Sequence, residues 1–362
     1  MSKAIKIRSY LKPVGWIFGN ISRLRRFLFE KGVFSSYKPN IPVICIGNLA
    51  IGGTGKTPHA AFVTNILSQD RQVAMLSRGY GRKSKGFVLA NTTPALKLTP
   101  HLIGYEPLLL HQRFPNLPLA VDRDRENGIK RLQEYDPTIK AIVMDDAYQH
   151  LSTTPTLRMI LTEYSRPYFK DYPMPAGRLR EFPDAVRAAD MVVVTKVDDD
   201  APNIDRKQWR KQLGIADIQP LFFTKYKYVE PEAVTRLAKS YILQHNTNII
   251  LLTGIANPAP LLEHLKHQFN NIQHLSFPDH HIYSENEIKS IIRQHFSDKN
   301  TSTVLFTTEK DWMRLLANPV IKTVSLLSVF ILPIEIDFVF DNEKNEFINI
   351  LENHVRREEK KN

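Results

Sequence analysis

Residues 47–58, Gly-Asn-Leu-Ala-Ile-Gly-Gly-Thr-Gly-Lys-Thr-Pro, restrict what this chain can fold into more than any other stretch. An apolar, β-branched run, Ile41–Ile46, precedes them and reads as a buried strand. Ala60, Ala61, Val63, Ile66 and Leu67 follow at helical spacing. Strand, glycine-rich turn and helix start form the context of a phosphate-binding loop. Glycines let consecutive backbone N–H groups wrap a phosphate, and the helix N-terminus adds positive potential. The expected cradle is Ala50, Ile51, Gly52, Gly53, Thr54, Gly55, Lys56 and Thr57. Lys56 would reach the β- and γ-phosphates, and the Thr57 hydroxyl would hold Mg²⁺. The usual pattern has a glycine six residues before the lysine, where this chain has Ala50. The plainer alternative is a glycine-rich helix cap; Lys-Thr directly after Gly-Gly-Thr-Gly favours a nucleotide site.

From Ile41 to about Val197, short apolar runs alternate with helical stretches. The candidate strands are Ile41–Ile46, Val73–Leu76, Leu117–Val121, Ala141–Met144, Leu157–Leu161 and Met191–Val194. This pattern predicts an α/β fold, a P-loop NTPase-like parallel sheet with helices on both faces. Ligands of such sheets bind beyond the carboxyl ends of the strands. Polar motifs stand there: Ser77-Arg78-Gly79-Tyr80-Gly81-Arg82, Asp122-Arg123-Asp124-Arg125 and Asp145-Asp146-Ala147-Tyr148-Gln149-His150. Asp145 and Asp146, ending an apolar strand downstream of the loop, are where a Mg²⁺-organising carboxylate belongs. Aspartate also caps helices after strands, so the pair gains weight only beside the loop. Arg178 and Arg180, in Pro-Ala-Gly-Arg-Leu-Arg-Glu, could fork onto phosphate or could be a solvated basic turn. Thr195-Lys196-Val197-Asp198 looks like the base-reading motif of GTPases, although Asp199-Asp200 also fits a solvated turn. Asp199 to about Lys211 reads as a charged connector.

A second, smaller α/β unit is expected from residue 216 to 340. Its strands would be Leu221–Thr224, Ile249–Thr253, Ile272–Phe277, Val304–Thr307 and Val329–Leu332. Asp279-His280-His281 at a strand end suits proton handling, histidine having a pKa near neutrality. No third ligand stands at zinc spacing, so the motif is not read as a metal site. Residues 341–362 read as an amphipathic C-terminal helix. The full division is 1–40, 41–215 for the P-loop domain, 216–340 and 341–362.

The net charge of +12 favours an anionic partner. Much of it sits in residues 1–40, where basic residues mix with Trp16, Phe18, Phe27 and Phe29 and Glu30 is the only acid. Its longest uncharged run, Pro13–Ser22, is well short of the ~20 residues that span a bilayer. No small-residue cleavage pattern follows it. On a helix Ile17, Ile21, Leu24 and Leu28 share one face, with Arg23 and Arg26 away from it. That composition suits the headgroup layer of an anionic membrane; docking on the protein's own core is the alternative. Nucleic acid fits poorly, because the charge lies beside apolar aromatics rather than on a stacking platform. The single cysteine, Cys45, permits no internal disulfide and fits a reducing compartment.

These motifs, in this order, resemble the tetraacyldisaccharide 4'-kinase (lipid A 4'-kinase) family over nearly the whole length. Beside those already quoted are Thr-Gly-Ile-Ala-Asn-Pro at 253–258 and Thr-Glu-Lys-Asp at 308–311. The resemblance implies ATP- and Mg²⁺-dependent phosphorylation of the 4'-hydroxyl of a tetraacyl glucosamine disaccharide 1-phosphate. It implies a peripheral protein on the cytoplasmic face of the inner membrane, with no nucleic-acid partner and an oligomeric state left open. It also implies roles: Lys56 on the phosphates; Thr57, Glu106, Asp145 and Asp146 around Mg²⁺; His280 and Asp146 in catalysis. Asn48, Arg125, Arg178 and Arg180 would face the acceptor or the phosphates. Where the family has Gly-Asp-Glu-Pro, this chain has Gly104-Tyr105-Glu106-Pro107. Tyr105 thus stands at the family's catalytic Asp, which pairs with the histidine, and turnover is expected to be impaired. The usual Gln-His-Arg is here Gln149-His150-Leu151. Two other classes stay open: a P-loop GTPase or metallochaperone, whose related ATPase branch has a signature lysine where this chain has Ile51, and a catalytically silent family member.

Overall fold

The computed structural model describes residues 7–94, 97–199, 201, 203–279, 281–296, 303–316 and 324–360. A first helix, α1 (Lys12–Glu30), precedes the strand β1 (Val43–Asn48) and the helix α2 (Lys56–Leu67). After them come β2 (Val73–Ser77), β3 (Val88–Leu89), α3 (Pro100–Ile103), α4 (Tyr105–Arg113), β4 (Leu119–Val121), α5 (Arg125–Tyr135) and β5 (Ala141–Asp145). The chain continues through β6 (Leu157–Glu163), β7 (Met191–Thr195), α6 (Arg206–Leu213) and β8 (Leu221–Tyr228). A second group comprises β9 (Glu232–Ala233), α7 (Arg236–Lys239), β10 (Asn248–Thr253), α8 (Ala259–Lys266), β11 (Asn271–Ser276), α9 (Glu285–Phe296), β12 (Thr303–Thr308), α10 (Glu309–Leu316) and β13 (Val329–Leu332). Then β14 (Ile334–Phe338) and the closing helix Glu343–Glu359 complete the chain.

The large sheet runs β14-β8-β7-β6-β1-β5-β2-β4-β3, parallel from β8 to β4 with an antiparallel strand at each edge. Its central strands are buried on both faces, which is why they read as unbroken apolar runs rather than as alternation. The second sheet runs β11-β10-β12-β13-β9, with β9 antiparallel.

Two expectations are corrected. The strand at Leu221, read as opening the second unit, pairs in parallel with β7 in the first sheet, and β14 returns antiparallel to it. The chain therefore leaves the large sheet after β8, builds the second sheet and comes back. An apolar run marks a strand but not which sheet edge receives it, so residue 216 is not where the first sheet ends. The charged connector contains α6, with the Asp205 carboxylate accepting from Lys207 N–H and Gln208 N–H and Gly214 closing the other end. Its charges lie outward while Leu213 and Trp209 pack on the core.

One buried cluster runs through both sheets: Met75, Leu119 and Val121 from the first, Ile250, Leu305 and Val329 from the second, with Ala61, Leu108 and Met313 on helices between. The join is made by α10 packing on α4. Glu106, in the first turn of α4, lies close enough to the end of β5 for its charge to act on Asp145.

Candidate active site

The loop from Leu49 to Gly55 leaves β1 and feeds α2 at Lys56, as a phosphate loop should. Gly55 has φ of +87°, and a Cβ there would stand 2.8 Å from the Tyr226 hydroxyl of β8, so both backbone and space demand glycine. The loop is held from several sides. Asn48 Nδ2 donates to Thr54 Oγ1 at 2.7 Å, and Thr195 Oγ1 donates to Thr54 O at 2.9 Å. Ile51 N–H donates to Arg178 O at 2.8 Å, and Arg180 N–H donates to Leu49 O at 2.7 Å. The backbone carrying both arginines thus forms a strip alongside the loop.

His59, one turn into α2, is wholly buried, and burial pushes its pKa down to about 4. Its Nδ1 lies 2.8 Å from Gly55 O, which can only accept, so Nδ1 carries the proton and Nε2 accepts from Thr224 Oγ1 at 3.1 Å. A neutral imidazole therefore pins the loop's last glycine to β8.

Asp145 ends β5, buried, with Thr57 Oγ1 donating to its Oδ2 at 3.3 Å. Its Oδ1 has no protein partner. Burial, then the charges of Glu106 and Asp146, push this carboxyl up to about 7. Asp146 takes a left-handed backbone, φ of 51°, which turns its carboxylate to Lys56 at 3.7 Å and to Arg180 at 2.9 and 3.2 Å. Burial alone would raise it, yet Lys56 and Arg180 hold it below the usual range. Adjacent carboxyls are thereby driven apart: Asp146 is held below the usual range by its cationic partners, and Asp145 is pushed above it, with one oxygen unpartnered.

The described residues contain no cluster of three or more His, Cys, Asp or Glu side chains fit to cage a metal. Mg²⁺ rarely needs one, since it usually keeps waters and substrate phosphates beside one or two carboxylates. The unpartnered Asp145 oxygen, next to the Thr57 hydroxyl and within electrostatic reach of Glu106, fits such an ion. A family model described as tetraacyldisaccharide-1-P 4'-kinase matches residues 7–356. This chain belongs to that family. The tetraacyldisaccharide 4'-kinase of Bacteroides thetaiotaomicron is 40% identical, covering 97% of this chain and 94% of its own. That of Phocaeicola vulgatus is 37% identical, covering 98% and 96%. LpxK from Aquifex aeolicus, solved in complex with ATP, superposes with a TM-score of 0.73 at 24% identity, over 96% of this chain and 99% of that one. That last likeness is one of fold.

Two of the residues that the family resemblance singled out, Asn48 and Arg125, are buried. Asn48 is fully buried at the end of β1, where its Nδ2 braces Thr54 and its Oδ1 has no protein partner. Arg125 is also buried at the start of α5, its Nη1 donating to the Asp122 and Arg123 carbonyls and its Nε unpartnered. Burial lowers its pKa to about 10, while the charge of Asp146 acts the other way. It supplies positive potential from behind the site. Tyr105 and Glu106 open α4, both half-buried, with Tyr105 packed on the cluster that joins the sheets. Ala50 pairs with Leu179, and Arg178 donates to Ile51 O and to Asp171, whose carboxylate also takes Arg178 N–H. His280 lies outside the described residues. Its neighbour His281 pairs with Glu287 at 3.0 Å and stacks on Phe277.

In this kinase family member, α1 presents its residues differently from a helix docked by an apolar face. Its buried residues are Gly15, Gly19 and Arg26. Trp16, Ile17, Ile21 and Leu24 stand 58, 54, 62 and 58% exposed. Arg26, on the side away from the apolar stripe, is the side chain that docks, and the stripe faces out. The motifs of the second sheet meet at Asp311, which accepts from Gly254 N–H, Thr308 Oγ1 and Arg314 Nη1 at 2.9, 2.8 and 2.7 Å. Thr-Gly-Ile-Ala-Asn-Pro and Thr-Glu-Lys-Asp are thus two halves of one buried polar knot.

Proposed function

We propose that this chain transfers the γ-phosphoryl group of ATP to the 4'-hydroxyl of a tetraacyl glucosamine disaccharide 1-phosphate, at the cytoplasmic surface of the inner membrane. The observation that carries the reading is the meeting of Lys56, Thr57, Asp145 and Asp146 at the end of the phosphate loop. The hydroxyl oxygen bonds to the γ-phosphorus as the bond to the bridging oxygen breaks, and ADP leaves. Such transfer needs chiefly positioning and offset of charge. Lys56 supplies positive charge to the phosphates, and Asp146 keeps Lys56 and Arg180 aimed at the same point. Thr57 and Asp145, with Glu106 nearby, would hold Mg²⁺, which supplies charge neutralisation on the phosphate oxygens. The proton of the attacking hydroxyl belongs to His280 by family position, without the carboxylate partner that Tyr105 replaces.

The membrane part of the reading rests on α1. No helix among the described residues is long and apolar enough to cross a bilayer. An exposed apolar stripe flanked by Lys12, Arg23, Arg25 and Lys31 suits burial in an anionic headgroup layer instead. The test is incubation of the full chain with labelled ATP and the disaccharide 1-phosphate in mixed micelles. A labelled 4'-phosphate is the expected product. ATP binding without any transfer would favour the silent-member reading that Tyr105 motivates.

A further inference from the structure

The segment 173–184 has two working faces. One is paired to the phosphate loop through Ile51 N–H on Arg178 O, Arg180 N–H on Leu49 O and the Ala50–Leu179 bridge. From that face Arg180 forks onto Asp146. The other face carries α1. A Cβ on Gly15 would lie 2.6 Å from Pro173 O, and one on Gly19 would lie 2.5 Å from the Phe182 ring, so the helix backbone sits directly on the segment. Arg23 reaches Asp184 at 2.9 Å with its guanidinium over the Phe182 ring. Arg25 Nη1 donates to Gln149 O, and the Gln149 amide in turn holds Asn48 O and Arg180.

Between the two faces lies one buried ion pair. Arg26 Nε and Nη2 donate to the two Glu181 oxygens at 2.8 and 2.9 Å, with the guanidinium 4.9 Å from the Tyr148 ring centroid. Glu181 directly follows Arg180, and Tyr148 lies two residues past Asp146. Fastening a helix does not require this: well-packed apolar residues of equal volume are often as stable as a buried pair. What a bidentate pair adds is register, because two parallel hydrogen bonds fix both position and angle.

We propose that Arg26 and Glu181 are positioning residues for the phosphoryl-transfer site. The pair sets the 173–184 segment so that Arg180 meets Asp146 and the 178–180 backbone stays paired to the phosphate loop. The rate arm of the test rests on the kinase reading; the structural arm does not.

The test compares the full-length protein with Arg26→Met, Arg26→Lys, Glu181→Gln and the Arg26→Met/Glu181→Gln double variant. In the structural arm, amide hydrogen exchange is followed in peptides covering 48–57 and 173–182, with β5 as internal reference. Exchange in the first two is expected to quicken on the order of tenfold in Arg26→Met while β5 is unchanged. In the rate arm, kcat in mixed micelles is expected to fall on the order of tenfold with the lipid KM unchanged, and the double variant to be no worse than either single one. Arg26→Lys should be intermediate, keeping charge but not the fork. Binding to anionic vesicles should match wild type, since the exposed stripe is untouched. Unchanged exchange at the loop overturns the proposal. A rise shared equally by β5 also overturns it, showing a general stabilising role. A rate that falls only in step with vesicle binding does the same. If wild type transfers no phosphate, the kinase reading fails and the exchange arm alone decides this one.

Discussion

Lys56 and Arg180 share one carboxylate, so removing either leaves Asp146 still paired. Lys56→Ala is therefore expected to fold normally and to lose transfer by roughly 10²–10³-fold, the usual cost of deleting one charge-stabilising donor. A thermal melt beside the micelle assay checks both halves. Asp145 carries a pH signature. Its carboxyl is raised from 3.8 to about 7, so between those values the folded protein holds a proton that the unfolded chain has lost. That contribution to stability is present below about pH 4 and lost as pH rises through 7. A divalent cation competes with that proton, so Mg²⁺ should raise the melting temperature more at pH 8 than at pH 6; equal shifts would place the ion elsewhere. Tyr105 offers a phenol where the family has a carboxylate to pair with the histidine. Tyr105→Asp is expected to raise kcat, by up to ~10²-fold on the low end of general-base effects, with little change in ATP affinity. Equal initial rates from pH 6 to 9 would show that another group already serves. Lys56, Thr57, Asp145 and Asp146 were legible because each sits where an apolar strand ends or a helix begins. Arg26 and His59 were not, because their partners lie 155 and 165 positions away.

Among the elements, α1 presents its apolar stripe outward, the orientation that a helix lying in a headgroup layer requires, while the residues that dock it were not legible. The apolar stripe was visible at three- and four-residue spacing, but two glycines and an arginine, not the stripe, touch the protein. Replacing Ile17, Ile21 and Leu24 together by Ser is expected to release the protein from anionic vesicles. Stability should stay within about 1.5 kcal/mol, because exposed substitutions rarely cost more than ~0.5 each. Co-sedimentation and a melt measure the two; a variant that still sediments fully would move the anchor off this helix. Most strands were legible because buried parallel strands are unbroken apolar runs between polar turns. Strand β14 was not read as a strand at all, since only Pro333 sets it off from the apolar run of β13, although the two belong to different sheets.

At the scale of the molecule, the shared cluster makes the two sheets one mechanical body. Trp209 packs on the first sheet's core and Trp312 lies in the cluster that joins both. Thermal unfolding followed by single-tryptophan variants retaining one or the other is expected to give a single midpoint. Two separated midpoints would mean that the α4–α10 contact yields first. The return of the chain through β14 has a further consequence, for synthesis. A ribosome delivers residues in order, and everything up to β13 can emerge before β14 and the closing helix exist. Until then β8 is a bare edge, and Phe222 lacks Phe338 and Phe347, the rings that finally cover it. Glu343, whose carboxylate accepts from Phe223 N–H and pairs with Arg206, arrives with them. The nucleotide-binding half, begun first, is therefore the last part of the newborn chain to be finished, and a premature stop just past β13 would spoil it while sparing every strand of the other half.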